Sequence, residues 1–318
     1  MADKSKIAWT DATWNPVSGC SKVSEGCRNC YAERDWPRLS KLVPAYAGRN
    51  FENVVCHPER LDQPLRWKRP RKIFVNSMSD LFHPDVPEGF IDRVFAIMAL
   101  CPQHTFQILT KRPERMNRYW RHLEDEELDR ILTREDMVMS TPEWPPNGFT
   151  DGPSPDFSNI WFGVSIENQE TADERIPILL KTPVERGAKR WVSIEPMIGR
   201  IVLEEVPVGM FGPLRWKGRP ESLPRIDWVV LGGESGPNAR VMEVEWIRRI
   251  KYECENAGVP LFIKQLGAAY SDPVDGIAGA GCKISEEAIY LLKRRLKHRS
   301  GADMEEWPKD LLVREYPE

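Results

Sequence analysis

Six times along the chain, a short apolar, β-branched or aromatic run ends abruptly in polar or glycine residues, and a stretch with helical spacing follows. The runs are IFVNSMSD (73–80), FQILTKRP (106–113), IWFGVSIEN (160–168), WVSIEPM (191–197), WVVLGGESG (228–236) and LFIKQLG (261–267). Continuous apolar runs of this length mark strands buried on both faces, as in parallel sheets. The stretches between them predict amphipathic helices over 88–100, 114–123, 170–180 and 243–257. The grammar is βα, repeated.

Taking Asn76, Thr110, Ser165, Ser193, Gly232 and Lys264 as the polar switch points, the intervals are 34, 55, 28, 39 and 32 residues. Most fit one βα unit of roughly 30 residues. The two longest hold TPEWPPNGFTDGPSPDF (141–157) and PVGMFGPLRWKGRPESLPR (207–225), which predicts inserted loops near 138–158 and 205–226. With a first strand near 8–15, the expectation is an α/β fold: a full or partial parallel (β/α) barrel of about six to eight strands. It would span residues 1–266, and 267–318 would form a C-terminal cap packed on it, with a helix over 285–298. GIAGAG in this tail lacks the strand-loop-helix context of a phosphate-binding fingerprint. In such barrels the polar C-terminal ends of the strands build the active-site face.

Composition narrows the class. Across 318 residues, 45 Lys and Arg face 48 Asp and Glu, a formal charge of −3, so bulk electrostatics do not drive the chain onto DNA or a membrane. Hydrophobic residues make up 41%, enough for a sizeable core, which excludes disorder as the main state. Apolar stretches such as 95–100 fall far short of the roughly 20 residues a spanning helix needs, and MADKSKIAWT does not read as a signal peptide. The expectation is a soluble, cytoplasmic protein with no membrane partner.

Three of the seven cysteines lie within eleven residues of the segment TWNPVSGCSKVSEGCRNCYAER (13–34): Cys20, Cys27 and Cys30, spaced C-x6-C-x2-C. Gly19 and Gly26 directly precede the first two, where permissive dihedrals let a loop wrap a ligand closely. Three thiolates without a fourth ligand in the loop suit an iron–sulfur cube with one open iron, whereas structural zinc closes with four ligands. A zinc site would recruit Cys56 or His57 from VVCHPER. Unmetallated core cysteines fit poorly with the polar neighbours Ser21, Lys22, Ser24, Glu25 and Arg28. Cys101, Cys254 and Cys282 read as small buried hydrophobes.

The strings WNPVSGCSKVSEGCRNCYAE, NSMSDLFH, ILTKRP, WFGVSIEN, SIEPM and GGESG, in this order, resemble the phage-associated three-cysteine proteins of the radical S-adenosylmethionine (radical SAM) superfamily. The resemblance runs over nearly the whole chain. It departs from the usual superfamily pattern in having six residues, not three, between the first two cysteines, and in Tyr31 following the third instead of an aromatic preceding it. It implies a [4Fe-4S] cluster on Cys20, Cys27 and Cys30, with the amino and carboxylate groups of SAM on the fourth iron. It also implies an external one-electron reductant, and a 5′-deoxyadenosyl radical that abstracts hydrogen from a substrate.

By the same resemblance, Asn76, Ser77, Ser79 and Asp80 after the second strand would hold the SAM amino group. Thr110 and Lys111 would serve its carboxylate, and Ser165 and Glu167 its ribose. Ser193 and Glu195 follow the fifth strand; Gly232, Gly233 and Glu234 follow the sixth, where the glycine pair would admit an adenine or a substrate. Lys264 and Gln265 complete the set, and a buried Lys264 needs an anionic partner such as Glu195 or Glu234. Lys111, Glu195, Glu234 and Lys264 are the candidate catalytic groups.

The basic clusters LRWKRPRK (65–72), PLRWKGRP (213–220) and KRRLKHR (293–299), two with an interleaved tryptophan, resemble a nucleic-acid surface. The expected substrate is a nucleobase, a nucleotide or DNA, in phage DNA modification or repair. A base within a duplex would have to be flipped out. Two other classes stand beside this: a zinc-stabilised nucleic-acid- or partner-binding protein without catalysis, and an iron–sulfur redox sensor.

Overall fold

The computed structural model describes residues 5–122, 157–184, 187–208, 212–214, 223–272, 293–294 and 300–317. In chain order the strands are β1 (Ala12–Trp14), β2 (Val17–Ser18), β3 (Val55–Cys56), β4 (Lys72–Val75), β5 (Thr105–Thr110), β6 (Ile160–Ile166), β7 (Lys189–Ile194), β8 (Trp228–Gly232), β9 (Met242–Glu243), β10 (Leu261–Gln265), β11 (Tyr270–Ser271) and β12 (Lys293–Arg294). The α-helices are α1 (Tyr31–Leu42), α2 (Glu88–Ala99), α3 (Pro113–His122), α4 (Gln169–Lys181) and α5 (Val244–Ala257). Seven strands form a parallel sheet in the order β1-β4-β5-β6-β7-β8-β10, with α2, α3, α4 and α5 in the connections, consistent with a partial (β/α) barrel. All seven strands and all four helices expected over this stretch are present. Their boundaries fall within a few residues of the sequence reading.

The chain divides into two compact units. The first comprises Met1–Lys22, Ala32–Val164 and Ile178–Arg190. Here β1 pairs with β4 (Ala12↔Ile73), β4 with β5 (Lys72↔Thr105) and β5 with β6 (Phe106↔Ile160), all parallel. Each strand buries both faces, so alternation is absent and the runs read as solid apolar blocks. Helix α3 starts on Pro113, carries Glu114 in its first turn and Arg121 and His122 in its last, which suits the helix dipole. It buries Met116, Tyr119 and Trp120 along one stripe. Trp120 meets Phe95 of α2 and Phe162 of β6 edge-on, each at 5.0 Å between ring centroids. A two-residue antiparallel pair, β2 with β3, holds the start of the cysteine segment against Val55–Cys56.

The second unit comprises Val23–Tyr31, Ser165–Pro177 and Trp191–Glu318. β7 pairs with β8 (Trp191↔Trp228) and β8 with β10 (Val229↔Leu261), again parallel. Helix α5 ends on Gly258 in the left-handed conformation, whose N–H reaches the carbonyls of Cys254 and Glu255. Residues 300–317 return along β10: Ile263 N donates to Val313 O at 3.0 Å and Glu315 N to Leu261 O at 2.8 Å. Trp228 Nε1 donates to Glu315 O, and the Tyr316 ring stacks on Trp228. A small sheet of order β12-β11-β9 stands beside α5 in the sequence.

Some expectations lie outside the described residues, and the reading of Trp67 falls differently. The helix expected over 285–298 lies outside the described residues except Lys293 and Arg294, which form strand β12 antiparallel to β11. The insert near 138–158 lies outside them except 157–158, about half of that near 205–226 does, and so do GIAGAG and Cys282. Trp67 in LRWKRPRK is buried and covered by the Arg71 guanidinium at 4.9 Å, so it packs in the core rather than offering a stacking face. Lys68 and Arg69 beside it are exposed. Among the described residues no helix is long and apolar enough to cross a membrane.

Candidate functional site

The six described cysteines are thiols outside any disulfide; Cys56, on β3, is partly buried, and the other five divide into two kinds. Cys101 and Cys254 are buried; burial pushes the Cys101 thiol up to about 12 and raises that of Cys254 as well. These are inert core residues. Cys20, Cys27 and Cys30 are partly accessible and sit among polar groups. Among the described residues, no three His, Cys, Asp or Glu side chains are gathered around one point that could hold a single metal ion. Ligands of an iron–sulfur cube bind separate irons and need not meet at one point.

In the first unit, the neighbourhood of Cys20 is built by the ends of β4 and β5. Gly19 has φ +91°, and a Cβ there would lie 2.8 Å from Phe51 O, so the turn into Cys20 demands glycine. Asp80, buried after β4, accepts from Phe82 N (3.0 Å) and Thr110 Oγ1 (2.8 Å) on Oδ1, and from Lys111 N (3.1 Å) and Arg112 Nη1 (2.9 Å) on Oδ2. Both oxygens are thus taken by the chain's own donors. Arg112 Nη1 also lies 3.7 Å from Cys20 Sγ, and Nη2 donates to Ser21 O and Ser21 Oγ, both at 3.0 Å. Burial lowers the Arg112 pKa, but Asp80 and Cys20 outweigh it, so the guanidinium stays fully charged.

His83 contributes from the other side. Its Nδ1 accepts from Asp85 N, which leaves Nε2 as the donor to Ser21 Oγ at 2.8 Å. Burial, then Arg112, depress its pKa, consistent with that neutral tautomer. Asn76 has φ +61°; its Oδ1 accepts from Val17 N, while its buried Nδ2 has no hydrogen-bond partner among the described residues. What Asn76 offers a ligand is therefore a donor, which suits a carboxylate better than an ammonium. Ser77 Oγ donates to Asn15 Oδ1 and Ser79 Oγ to Val17 O, so both serine hydroxyls already bond the N-terminal segment. His57, the zinc alternative's fourth ligand, has its ring between Ser18 Oγ (2.7 Å) and Glu59 (3.1 Å).

In the second unit, the segment carrying Cys27 and Cys30 is held at two points. Ser24 Oγ donates to Glu167 Oε1 at 2.8 Å, and Glu167, fully buried after β6, also receives Arg175 Nη1 at 3.3 Å on each oxygen. Gly26 lies directly over this carboxylate: a Cβ there would stand 2.5 Å from Oε1 and 2.6 Å from Cδ of Glu167. Close approach, not an unusual dihedral, requires the glycine, since Gly26 is absent from the positive-φ residues. The second hold is Glu234, after β8, which accepts from Asn29 Nδ2 (2.9 Å) and from Arg240 N, Nε and Nη2 (2.9, 3.0 and 2.6 Å). Burial raises the Glu234 pKa, but the Arg240 and Asn29 hydrogen bonds more than offset it and hold it below the usual carboxylate range. Arg240 Nη1 reaches on to Glu25 O at 3.1 Å.

Between these holds a turn closes, with Cys27 N on Ser24 O and Cys30 N on Cys27 O. Lys264 Nζ pairs with Glu195 Oε1 at 2.9 Å, one of its two anticipated partners, and Ser193 Oγ donates to Glu195 Oε2 at 3.3 Å. Ser165 Oγ donates to Glu195 O at 3.4 Å. At Gly232 and Gly233 the neighbours are this chain's own: Glu195 and Gln265 at the first, the Leu266 backbone at the second. Gln265 Nε2 donates to Gly233 O at 2.8 Å.

Sequence reading missed Arg112, Arg175 and Arg240, the three guanidiniums that organise these carboxylates. Arginines next to strand-end motifs carry no signal of their own, because surface arginines are common; only burial separates them. Asp80, Glu167 and Glu234 were legible because they stand at the polar ends of the apolar runs, where the resemblance puts SAM and substrate.

Fold and site together define an α/β protein whose thiol-bearing loop is fastened to the C-terminal ends of parallel strands. The chain belongs to DUF5131, a family of proteins of unknown function, whose family model matches residues 4–310. No curated protein matches it. A solved structure of spore photoproduct lyase complexed with dinucleoside spore photoproduct is similar at 11% identity, with a TM-score of 0.39, over 80% of this chain and 64% of that chain.

Proposed function

We propose that this protein is a radical SAM enzyme that abstracts hydrogen from a nucleobase or nucleotide, in phage DNA modification or repair. One observation carries the reading. The loop bearing Cys27 and Cys30 is fastened by Glu167 and Glu234, carboxylates that close two parallel strands, so its thiols stand where α/β enzymes place their chemistry. The donor set fits a cluster: Cys20, Cys27 and Cys30 are accessible thiols in polar surroundings, and each would hold one iron of a [4Fe-4S] cluster.

Held by Cys20, Cys27 and Cys30, a [4Fe-4S] cluster would supply the one-electron reduction of SAM on which hydrogen abstraction depends, given an external reductant. The chain's own groups have the remaining tasks. Asn76 Nδ2 would donate to the SAM carboxylate, with Thr110 and Lys111 at the end of the adjacent strand β5. Ser165, Ser193 and the Glu195–Lys264 pair would face ribose, adenine or substrate, with Lys264 able to give a proton and Glu195 able to take one. Gln265, Gly232 and Gly233 shape the same strand ends.

Anaerobic reconstitution with iron and sulfide, followed by SAM and a strong reductant, tests this directly. The expected product is 5′-deoxyadenosine by mass spectrometry, with deuterium transfer from a labelled nucleotide identifying the substrate. A cluster that assembles but never cleaves SAM, with or without nucleotides and DNA, would turn the reading to a redox sensor. Zinc at one equivalent with no iron would turn it to a zinc-stabilised binding protein.

A further inference from the structure

Arg112 makes contacts that bear on Cys20 in a specific way. A guanidinium offers five N–H donors in a fixed fork. Here Nη1 is shared between Asp80 Oδ2 (2.9 Å) and Cys20 Sγ (3.7 Å), and Nη2 takes both the carbonyl and the hydroxyl of Ser21. The fork cannot drift, because Asp80 is itself fixed by Phe82 N, Thr110 Oγ1 and Lys111 N. Nor can Ser21, whose hydroxyl is held from the opposite side by His83 Nε2. The Arg112 side chain is only 11% exposed, so the charge acts with little solvent screening.

We propose that Arg112 is a positioning residue: it fixes Cys20 as a cluster ligand and raises the cluster's reduction potential through an N–H···S hydrogen bond. The inference rests on the reading of the cysteine loop as the cluster site. A donor and a positive charge at a ligand sulfur stabilise the reduced, more negative cluster, and hydrogen bonds to the sulfurs are among the protein's main controls over such potentials. The arrangement also assigns Asp80 a purpose that its saturated oxygens leave open, namely to seat Arg112.

The test compares wild type, Arg112→Gln, Arg112→Lys and Asp80→Asn after anaerobic reconstitution. Iron and sulfide per chain are measured, together with the midpoint potential of the cluster by EPR-monitored redox titration. Arg112→Gln is expected to assemble a cluster with a more negative midpoint. Arg112→Lys, which keeps the charge but cannot span Asp80, Cys20 and Ser21, is expected to fall between the two. Asp80→Asn, which loosens the fork but also removes a negative charge that by itself would raise the midpoint, is read by iron per chain, which is expected to fall below wild type. A wild-type midpoint in Arg112→Gln overturns the proposal; if that variant does not fold, a wild-type midpoint in Arg112→Lys together with wild-type iron per chain in Asp80→Asn overturns it. A wild-type protein that assembles no iron–sulfur cluster instead overturns the reading beneath it.

Discussion

Gly26 shows how much a single hydrogen can carry. Its backbone conformation would admit any L residue, yet an alanine methyl there would overlap the buried Glu167 carboxylate, 2.5 Å from Oε1. Glu167 cannot yield without loosening Ser24 and Arg175 together. Gly26→Ala is therefore expected to cost about 1–3 kcal/mol, the usual range for overpacking, and to reduce iron retained after reconstitution, read by thermal unfolding and by iron per chain. Glu234 makes a complementary case in pH. Its folded pKa is depressed, so its stabilisation is complete above the ordinary glutamate range and is lost as pH falls through the lower, folded value. Glu234→Gln should destabilise the protein by about 1.5–3 kcal/mol at neutral pH, the range for hydrogen bonds to a charged group. Urea titrations at stepped pH should show the two proteins converging in acid; a gap that persists there would contradict the assignment.

At the level of elements, β10 ends the sheet order, and residues 300–317 cover its free edge. An uncovered edge strand is a template for pairing with other chains. Removing residues 300–318 would delete the bonds to Leu261 O, Ile263 N and Leu266 N and the Trp228 indole bond, each worth about 1 kcal/mol net. The shortened chain is expected to unfold at lower temperature and to associate, visible as light scattering that the full chain does not show at the same concentration. The elements differ in how legible they were. The parallel strands announced themselves because burial on both faces leaves an unbroken apolar run, as in IWFGVSI of β6. Helix α1 did not: it carries Pro37 in its interior and buries only Ala32 and Trp36, so neither periodicity nor breaker rules point to a helix there. The two-residue strands β2, β3, β9 and β11 are too short to have a period, and their pairing is decided by distant partners.

Across the whole molecule, the candidate site was half legible for a related reason. Thiols and strand-end carboxylates stand out because their chemistry is costly to leave unsatisfied, whereas the arginines that satisfy them, Arg112, Arg175 and Arg240, are recognisable only once the chain is folded. That asymmetry separates two sets of cysteines by consequence. Cys101 and Cys254 are buried, and exchange for alanine would remove packing alone. Cys20, Cys27 and Cys30 are partly accessible and belong to no core, so alanine at any one should leave thermal unfolding of the metal-free protein within about 0.5 kcal/mol of wild type. The same three changes should abolish SAM cleavage and deplete iron, while Cys101→Ala and Cys254→Ala lower stability and keep both. Measuring 5′-deoxyadenosine, iron and unfolding midpoint on all five variants separates the roles: cleavage that survives loss of Cys20, Cys27 or Cys30 would mean that the chemistry lies elsewhere in the fold.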